Sequence, residues 1–360
     1  MFKLYLRWLK VPIRIFLVAK GGEPQVYNII GKKVTHDVVN SAGLVLIKAK
    51  DIIEEEHLNL LEKHRIDLYS IIMETGNGTK YTHSNSLVLQ AMEQSYTLFE
   101  SIKLTYKIPI MLFKHTVIPI IQQIANDPNI FRLFEAVRAK DEYTHQHNIG
   151  VGVISTLLGK WLNLGEIELA VLSLAATLHD VGKVKIPMEI LQKPEKLSQA
   201  EFNLMKQHTN LGYEMLKGTI GVSHRIALVA LQHHEREDGS GYPLSLKMSQ
   251  INSFSKIVAV ADMFHAMSSN RPYHKAIPFS EILEQLRQES FGKLDPYIVA
   301  VFIKNISKQL VGQQVVLTDG REGKIVYLKP FEDNSSLIKI NNDFLDLSLN
   351  RNITIMQIVS

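Results

Sequence analysis

No cysteine occurs in the 360 residues. Disulfides, iron–sulfur clusters and thiolate zinc sites are therefore excluded, and a reducing cytoplasm is the simplest home for the chain. Nor is there a surplus of one charge: 40 basic residues stand against 36 acidic ones, a net charge of +4. So small an excess does not call for a DNA or RNA polymer as partner, though it is compatible with a small phosphate ligand. Near the N-terminus Lys3, Arg7, Lys10, Arg14 and Lys20 break every apolar run, so this stretch neither spans a bilayer nor reads as a signal peptide. No transmembrane segment is expected. A basic amphipathic segment of this kind could lie peripherally on an anionic membrane, although packing on its own domain is the simpler expectation. Internal repeats and low-complexity tracts are absent as well. What is present is ordinary core material, 46% hydrophobic and 21% charged, enough for two or three domains.

Three regions separate along the chain, which reads as mainly α. Residues 1–80 predict a small α/β accessory module, with short strands at 26–30 and 43–47. Asp51 and Glu54 have the spacing of a capping box that would open a helix carrying Leu58, Leu60 and Leu61. The polar stretch from Thr75 to Ser86 reads as a linker. Residues 87–310 predict helices almost throughout. The run Ile167, Leu169, Val171, Leu172, Leu174 and Leu178 marks a buried one, and Ser198 with Glu201 forms a second capping-box signature. Residues 311–360 change to short β-type runs at 315–317, 324–328, 336–340 and 353–358. Asp319-Gly320, Lys329-Pro330 and Asn341-Asn342 supply turn signals between them, so a small β domain is expected.

The chemistry concentrates in the helical region. His147, His179, Asp180, His208, His233, His234 and Asp262 are seven potential metal ligands, anchored by two adjacent pairs. Neutral imidazoles mixed with carboxylates suit borderline or hard divalent metals. Seven donors exceed one tetrahedral site and suffice for two ions with open positions. Two metals a few ångströms apart are a recurring device for hydrolysing phosphate esters. In Leu178-His179-Asp180-Val181-Gly182-Lys183 a buried helix delivers nitrogen and oxygen donors at its C-terminal end. Lys183 follows closely enough to hold a phosphate oxygen as a point charge. After His233-His234 comes Glu235-Arg236-Glu237-Asp238-Gly239-Ser240-Gly241-Tyr242-Pro243, a glycine-rich loop suited to lying over a ligand. A lone histidine is usually structural, so His36, His57, His64, His83, His115 and His224 are given no role. His145 faces away from His147 and reads as a surface or supporting residue, while His265, one helical turn from Asp262, could lie near a metal.

Together with Ala261-Asp262 and Arg271-Pro272-Tyr273, these motifs resemble the HD-GYP family of cyclic di-GMP phosphodiesterases. The likeness runs from Lys140 to Leu286, about two-fifths of the chain. It implies a helical HD-type catalytic domain, two or three divalent metals (often iron or manganese), and hydrolysis of a cyclic dinucleotide by a hydroxide held between the ions. Residue by residue, it implies that all seven donors above are metal ligands and that Lys183 is catalytic beside Asp180. It further implies that Asp141 and Arg271 hold the dinucleotide and that Tyr242, between Gly241 and Pro243, is the signature tyrosine.

The chain departs from the family on the substrate side. Tyr143 stands where members with a third metal have Glu, so two ions are expected, and with them a linear pGpG product. Gly150, His265 and His274 replace the usual Arg, Asp and Lys or Arg. These departures keep a second reading open, a cyclic-dinucleotide receptor with weak or no turnover that binds a partner such as a diguanylate cyclase domain. A third, an HD phosphohydrolase acting on nucleoside phosphates, is opposed by the His-His pair and the Gly-Tyr-Pro loop. A homodimer through the helices before Lys140 is compatible with the sequence, although no heptad seam marks it.

Overall fold

The computed structural model describes residues 16–19, 23–26, 33–34, 37–40, 44–64, 73–74, 83–127, 129–137, 144–193, 195–268, 279–328, 336–350 and 352–359. The expected membrane-surface segment before residue 16, most of the 75–86 linker, Asp141 and Arg271 lie outside them. Among the described residues no helix is long and apolar enough to cross a membrane. The chain divides into two compact units, residues 1–82 and 83–360. It is mainly helical, with small sheets toward both ends, as the sequence predicts.

The first unit pairs short antiparallel strands: β1 (Phe16–Ala19) with β2 (Glu23–Val26), β4 (Val38–Val39) with β5 (Val45–Ile47), and β3 (Lys33–Val34) with β6 (Met73–Glu74). Among the described residues one helix, α1 (Glu55–Lys63), accompanies them. Val34, Val38, Ile47, Ile53 and Leu61 make its core. The helix starts later than the Asp51 signature predicts. Ile52 is taken by a bridge to Lys33, and the Asp51 carbonyl accepts from Val34 N–H. The main chain at 51–52 is committed to the strand side, and sheet pairing overrides the local cap.

In the second unit α2 (His83–Thr105) leads into a continuous helical stretch. That stretch comprises α3 (Ile110–Leu112), a π turn (Phe113–Val117) and α4 (Ile118–Ile124), and α5 (Ile130–Val137) follows. The central pair is α6 (Thr144–Trp161) and α7 (Glu166–Thr177). Glu166 and Glu168 in the first turn of α7 complement the positive end of its dipole. Its buried hydroxyls are satisfied locally: Ser173 bonds the Leu169 carbonyl, and Thr177 bonds the Ser173 carbonyl. Beyond α8 (Met188–Leu191) come α9 (Gln199–Lys206), α10 (His208–Lys217) and α11 (His224–Gln232). The Ser198–Glu201 capping box of α9 is present in full. Then α12 (Ser253–Ser268), α13 (Phe279–Glu289) and α14 (Pro296–Leu310) close the bundle. Phe254, Phe264 and Phe302 are fully buried there, each worth about 1.5–3 kcal/mol.

The C-terminal strands β7 (Gln314–Leu317), β8 (Glu322–Leu328), β9 (Ser336–Ile340), β10 (Asp343–Asp346) and β11 (Ile355–Val359) form one antiparallel sheet in the order β10-β9-β8-β7-β11. The sequence signals missed β10, a short and half-exposed edge strand. Val315, Leu317, Ile325, Ile338 and Leu347 join the same buried core as the helices.

One close approach positions the centre described next. After α7 the chain turns through a 3-10 segment, Val181–Lys185, packed on the start of α10. A Cβ at Gly182 would lie 2.0 Å from the His208 carbonyl oxygen and 2.5 Å from Gly212 N. Both are backbone atoms and cannot swing aside. Gly182→Ala is therefore expected to cost about 3 kcal/mol of stability, as overpacking does. Thermal unfolding of the metal-free chain reads this directly, and an unchanged midpoint would disprove the contact.

Candidate metal centre

Three helix C-termini converge on one point. His179 follows α7, His208 follows the end of α9, and His233 caps α11. Carbonyls in a last helical turn lack intrahelical partners, and here they take the imidazole N–H groups. His179 Nδ1 lies 2.7 Å from the Ala176 oxygen, His208 Nδ1 2.7 Å from that of Met205, and His233 Nδ1 3.0 Å from those of Val229 and Ala230. A carbonyl only accepts, so each Nδ1 carries a proton, and in the neutral ring each Nε2 then faces inward with a lone pair. The negative ends of the helix dipoles also favour a cation there.

Asp180 occupies the middle, almost wholly buried. Its two oxygens face different neighbours. Oδ1 lies 3.3 Å from His208 Nε2 and 3.7 Å from His233 Nε2. Oδ2 lies 3.3 Å from His179 Nε2, 3.8 Å from His147 Nε2 and 2.5 Å from Lys183 Nζ. Two donor groups result, Asp180 with His208, His233 and His234, and Asp180 with His147 and His179, each with donor atoms within 4.8 Å of one another. Asp262, from α12, meets His147 Nε2 at 3.1 Å. All seven sequence-derived donors are thus drawn together, from elements up to 115 positions apart (147 to 262).

The donors fit a cation on three counts. His179 Nε2 and Asp180 Oδ1 are buried without a hydrogen-bond partner, a costly arrangement unless a bound ion satisfies them. The imidazoles are mostly held neutral, the form that ligates: burial pushes His147 and His208 down, His233 well down, and His234 to about 3. His179 alone moves up, because the Asp180 charge outweighs its burial. The carboxylates stay ionised. For Asp180, burial is outweighed by Lys183 and His179; for Asp262, by the His147 imidazole beside it.

Of the residues expected on the substrate side, Tyr242 lies at the centre's edge. Its ring stacks on His234, centroids 4.7 Å apart at 30°, and burial holds its hydroxyl protonated far above neutral pH. Gly241 leaves no room for a side chain, since a Cβ would lie 2.3 Å from Arg236 N; Pro243 follows through a cis peptide. Asp141 and Arg271 are outside the described residues. Three further residues carried no separable signal. Glu235 is buried, and its carboxylate accepts from Leu244 N at 2.6 Å and Leu246 N at 2.8 Å, so it pins the Gly-Tyr-Pro loop. Phe202 packs edge-on to Tyr242 at 6.3 Å, and Lys206 lies 5.9 Å above the tyrosine ring. Only the loop's composition and the spacing of 202 and 206 on one helical face could have pointed to them.

Helices enclosing a His-Asp doublet and a ring of further imidazoles define an HD domain, and residues 132–298 match that family. Over 203 residues the chain is 34% identical to cyclic di-GMP phosphodiesterase PA4108 of Pseudomonas aeruginosa, covering 56% of this chain and 49% of that one. Over 170 residues it is 36% identical to 3'3'-cGAMP-specific phosphodiesterase 1 of Vibrio cholerae, covering 47% of this chain and 39% of that one. The chain thus spans about half the length, or less, of these curated relatives. Its fold is similar to that of Bd1817, an HDG"Y"P protein of Bdellovibrio bacteriovorus, with TM-score 0.52 and 16% identity over 78% of this chain and 98% of that one. Residues 132–298 thus carry an HD domain, and over this region the chain is similar to the cyclic-dinucleotide phosphodiesterases named above.

Proposed function

We propose that the chain is a metal-dependent phosphodiesterase that opens a cyclic dinucleotide, cyclic di-GMP in the first instance, to linear pGpG. The observation that carries this reading is the Asp180 carboxylate, whose two oxygens each face a separate group of histidines. Such a carboxylate can bridge two ions. His147, His179 and Asp262 would hold one, and His208, His233 and His234 the other. Oxygen and nitrogen donors without thiolate suit borderline or hard divalent ions, and the family likeness favours iron or manganese among them. Ions held there would supply Lewis acidity toward the phosphoryl oxygens and a water of lowered pKa.

The chain's own residues do the rest. Lys183, now paired with Asp180, stands where its charge can neutralise a non-bridging phosphoryl oxygen as negative charge builds up. The buried helix ends fix the imidazoles before substrate arrives, so no reorganisation is needed during reaction. Tyr242 and Phe202 offer aromatic faces to a base, and the Tyr242 hydroxyl, kept protonated, can only act there as a neutral group. Asp141 and Arg271 are proposed, from the family likeness alone, to hold the dinucleotide.

The similarity to a cGAMP-specific enzyme favours testing a mixed guanine–adenine ring as the second substrate. The experiment is incubation of oxygen-protected, metal-reconstituted protein with cyclic di-GMP, 3'3'-cGAMP, linear dinucleotides and nucleoside phosphates, with chromatography of the products and elemental analysis. Two equivalents of iron or manganese are expected, with the linear dinucleotide accumulating. Tight binding without product would replace the enzyme by a receptor, and turnover of nucleoside phosphates alone would refute the dinucleotide reading.

A further inference from the structure

His147 differs from His179, His208 and His233 in where it sits on its helix. His179, His208 and His233 lie at helix C-termini, beside carbonyls that accept their Nδ1 protons. His147 lies one turn inside the N-terminus of α6. The main-chain groups without intrahelical partners there are N–H donors, which cannot accept an imidazole proton. An acceptor has to come from elsewhere, and it comes from α12. His265 is almost wholly buried, with Nδ1 3.1 Å from His147 Nδ1 and Nε2 3.0 Å from the Val137 carbonyl oxygen.

These two contacts fix a proton order. The Val137 carbonyl only accepts, so His265 Nε2 carries a hydrogen. In the neutral ring, His265 Nδ1 is then an acceptor, and the contact with His147 requires that His147 Nδ1 be the donor. His147 Nε2 is left bare, and it is the atom aimed at Asp262 Oδ1 (3.1 Å) and toward Asp180 Oδ2 (3.8 Å). A nitrogen lone pair beside two carboxylate oxygens calls for a cation between them. The space for the His265 ring is made by Gly150 on the facing helix, where a Cβ would lie 2.0 Å from His265 Nε2. Gly150 and His265, which part from the family pattern as single substitutions, are thus two halves of one packing arrangement.

We propose that His265 is a positioning residue for the metal centre, relaying the Val137 carbonyl to His147 so that His147 keeps its Nδ1 proton and presents Nε2 to the ion. The relay couples the end of α5 to one of the two ion pockets. Helix-end carbonyls orient His208 and His233 of the other pocket, so His265 is expected to act on one ion and not on both. Partners in the shell around a metal ligand typically change metal affinity by about 10–100-fold.

This inference rests on His147 being a ligand, so manganese titration of the wild-type chain, followed calorimetrically, comes first. Two equivalents are expected, and failure there overturns the centre itself. In His265→Leu the weaker of two resolved affinities should drop 10–100-fold while the other stays within threefold. His265→Gln can accept through Oε1 and donate through Nε2, and should restore both. Gly150→Ala, approached from the other helix, should reproduce the leucine phenotype. In the zinc-loaded protein, long-range nitrogen–proton correlation of the imidazoles should show His147 protonated at Nδ1. If His265→Leu binds both equivalents as wild type does, or the glutamine variant is as impaired as the leucine, His265 merely fills space. If the leucine variant does not fold, the glutamine variant and the His147 tautomer still decide.

Discussion

Asp180→Ala should abolish turnover and empty the centre of metal in one step. Among the described residues no other side chain faces both donor groups. Removing it takes an oxygen from each pocket, and it also takes the anion that keeps His179 pushed upward. Without that anion the remaining set in the inner cavity is four imidazoles and the Lys183 cation, with Asp262 alone on the His147 side. The electrostatic balance turns against divalent ions. A cationic centre contributes several kcal/mol to a phosphoryl transition state, and each 1.4 kcal/mol is a factor of ten. The rate should therefore fall by at least about 10³-fold. Metal content per chain after reconstitution should fall from two equivalents to near zero. His208→Ala, by contrast, strips one pocket only and should leave about one equivalent. An Asp180→Ala protein that keeps two ions would show that the carboxylate does not bridge.

Loss of fold is the competing explanation, and the contacts of Asp180 argue against it. Asp180 Oδ1 has no hydrogen-bond partner, so its removal orphans no donor on that side. Lys183 is about one-quarter exposed and can return to water when its partner is gone. The metal-free variant should unfold within a few degrees of the wild-type metal-free chain. What it loses is the stabilisation that bound ions confer by mass action.

Those features of the centre that are local were legible in the sequence. The doublets His179-Asp180 and His233-His234 are adjacent in the chain, and each follows an apolar run that marks a buried helix. The helix end then does the aiming, because its free carbonyls take one ring nitrogen and leave the other for a metal. What was not legible is pairing across distance. Glu235 belongs to a recognisable motif, yet its work of gripping Leu244 N and Leu246 N appears only once the loop has folded back. Gly150 and His265 looked like two unrelated departures, because 115 positions separate them and only helix packing puts one against the other. Outside the centre the same distinction holds. The Ser198 cap formed because nothing competed for its main chain, whereas the Asp51 cap lost its main chain to a strand across the module. β10 was missed because a short, half-exposed edge strand has no apolar alternation to betray it.

Lys183→Ala should give the opposite pattern from Asp180→Ala, namely metal retained and rate lost. The ammonium contacts Asp180 Oδ2, the oxygen shared with the His147 and His179 pocket. In the metal-free chain it therefore competes with a cation for that oxygen. Deleting it removes one positive charge beside the pocket, so manganese should bind as tightly as in wild type or more tightly. Were ions to take up that carboxylate, the ammonium would be free to turn to the substrate. There its expected use is the phosphoryl group, whose charge is greatest in the transition state. Removing one such preorganised donor costs about 10²–10³-fold in kcat, with KM changed far less, because the ground-state phosphodiester carries less charge for the lysine to meet. Lys183→Arg should recover part of the rate, since the charge is kept, but not all of it, since a planar guanidinium does not replace a compact ammonium. Metal content, kcat and KM measured on the same preparations separate the two roles. A Lys183→Ala enzyme with two ions and undiminished turnover would remove the lysine from the chemistry and leave it as a counter-charge for Asp180 in the metal-free state.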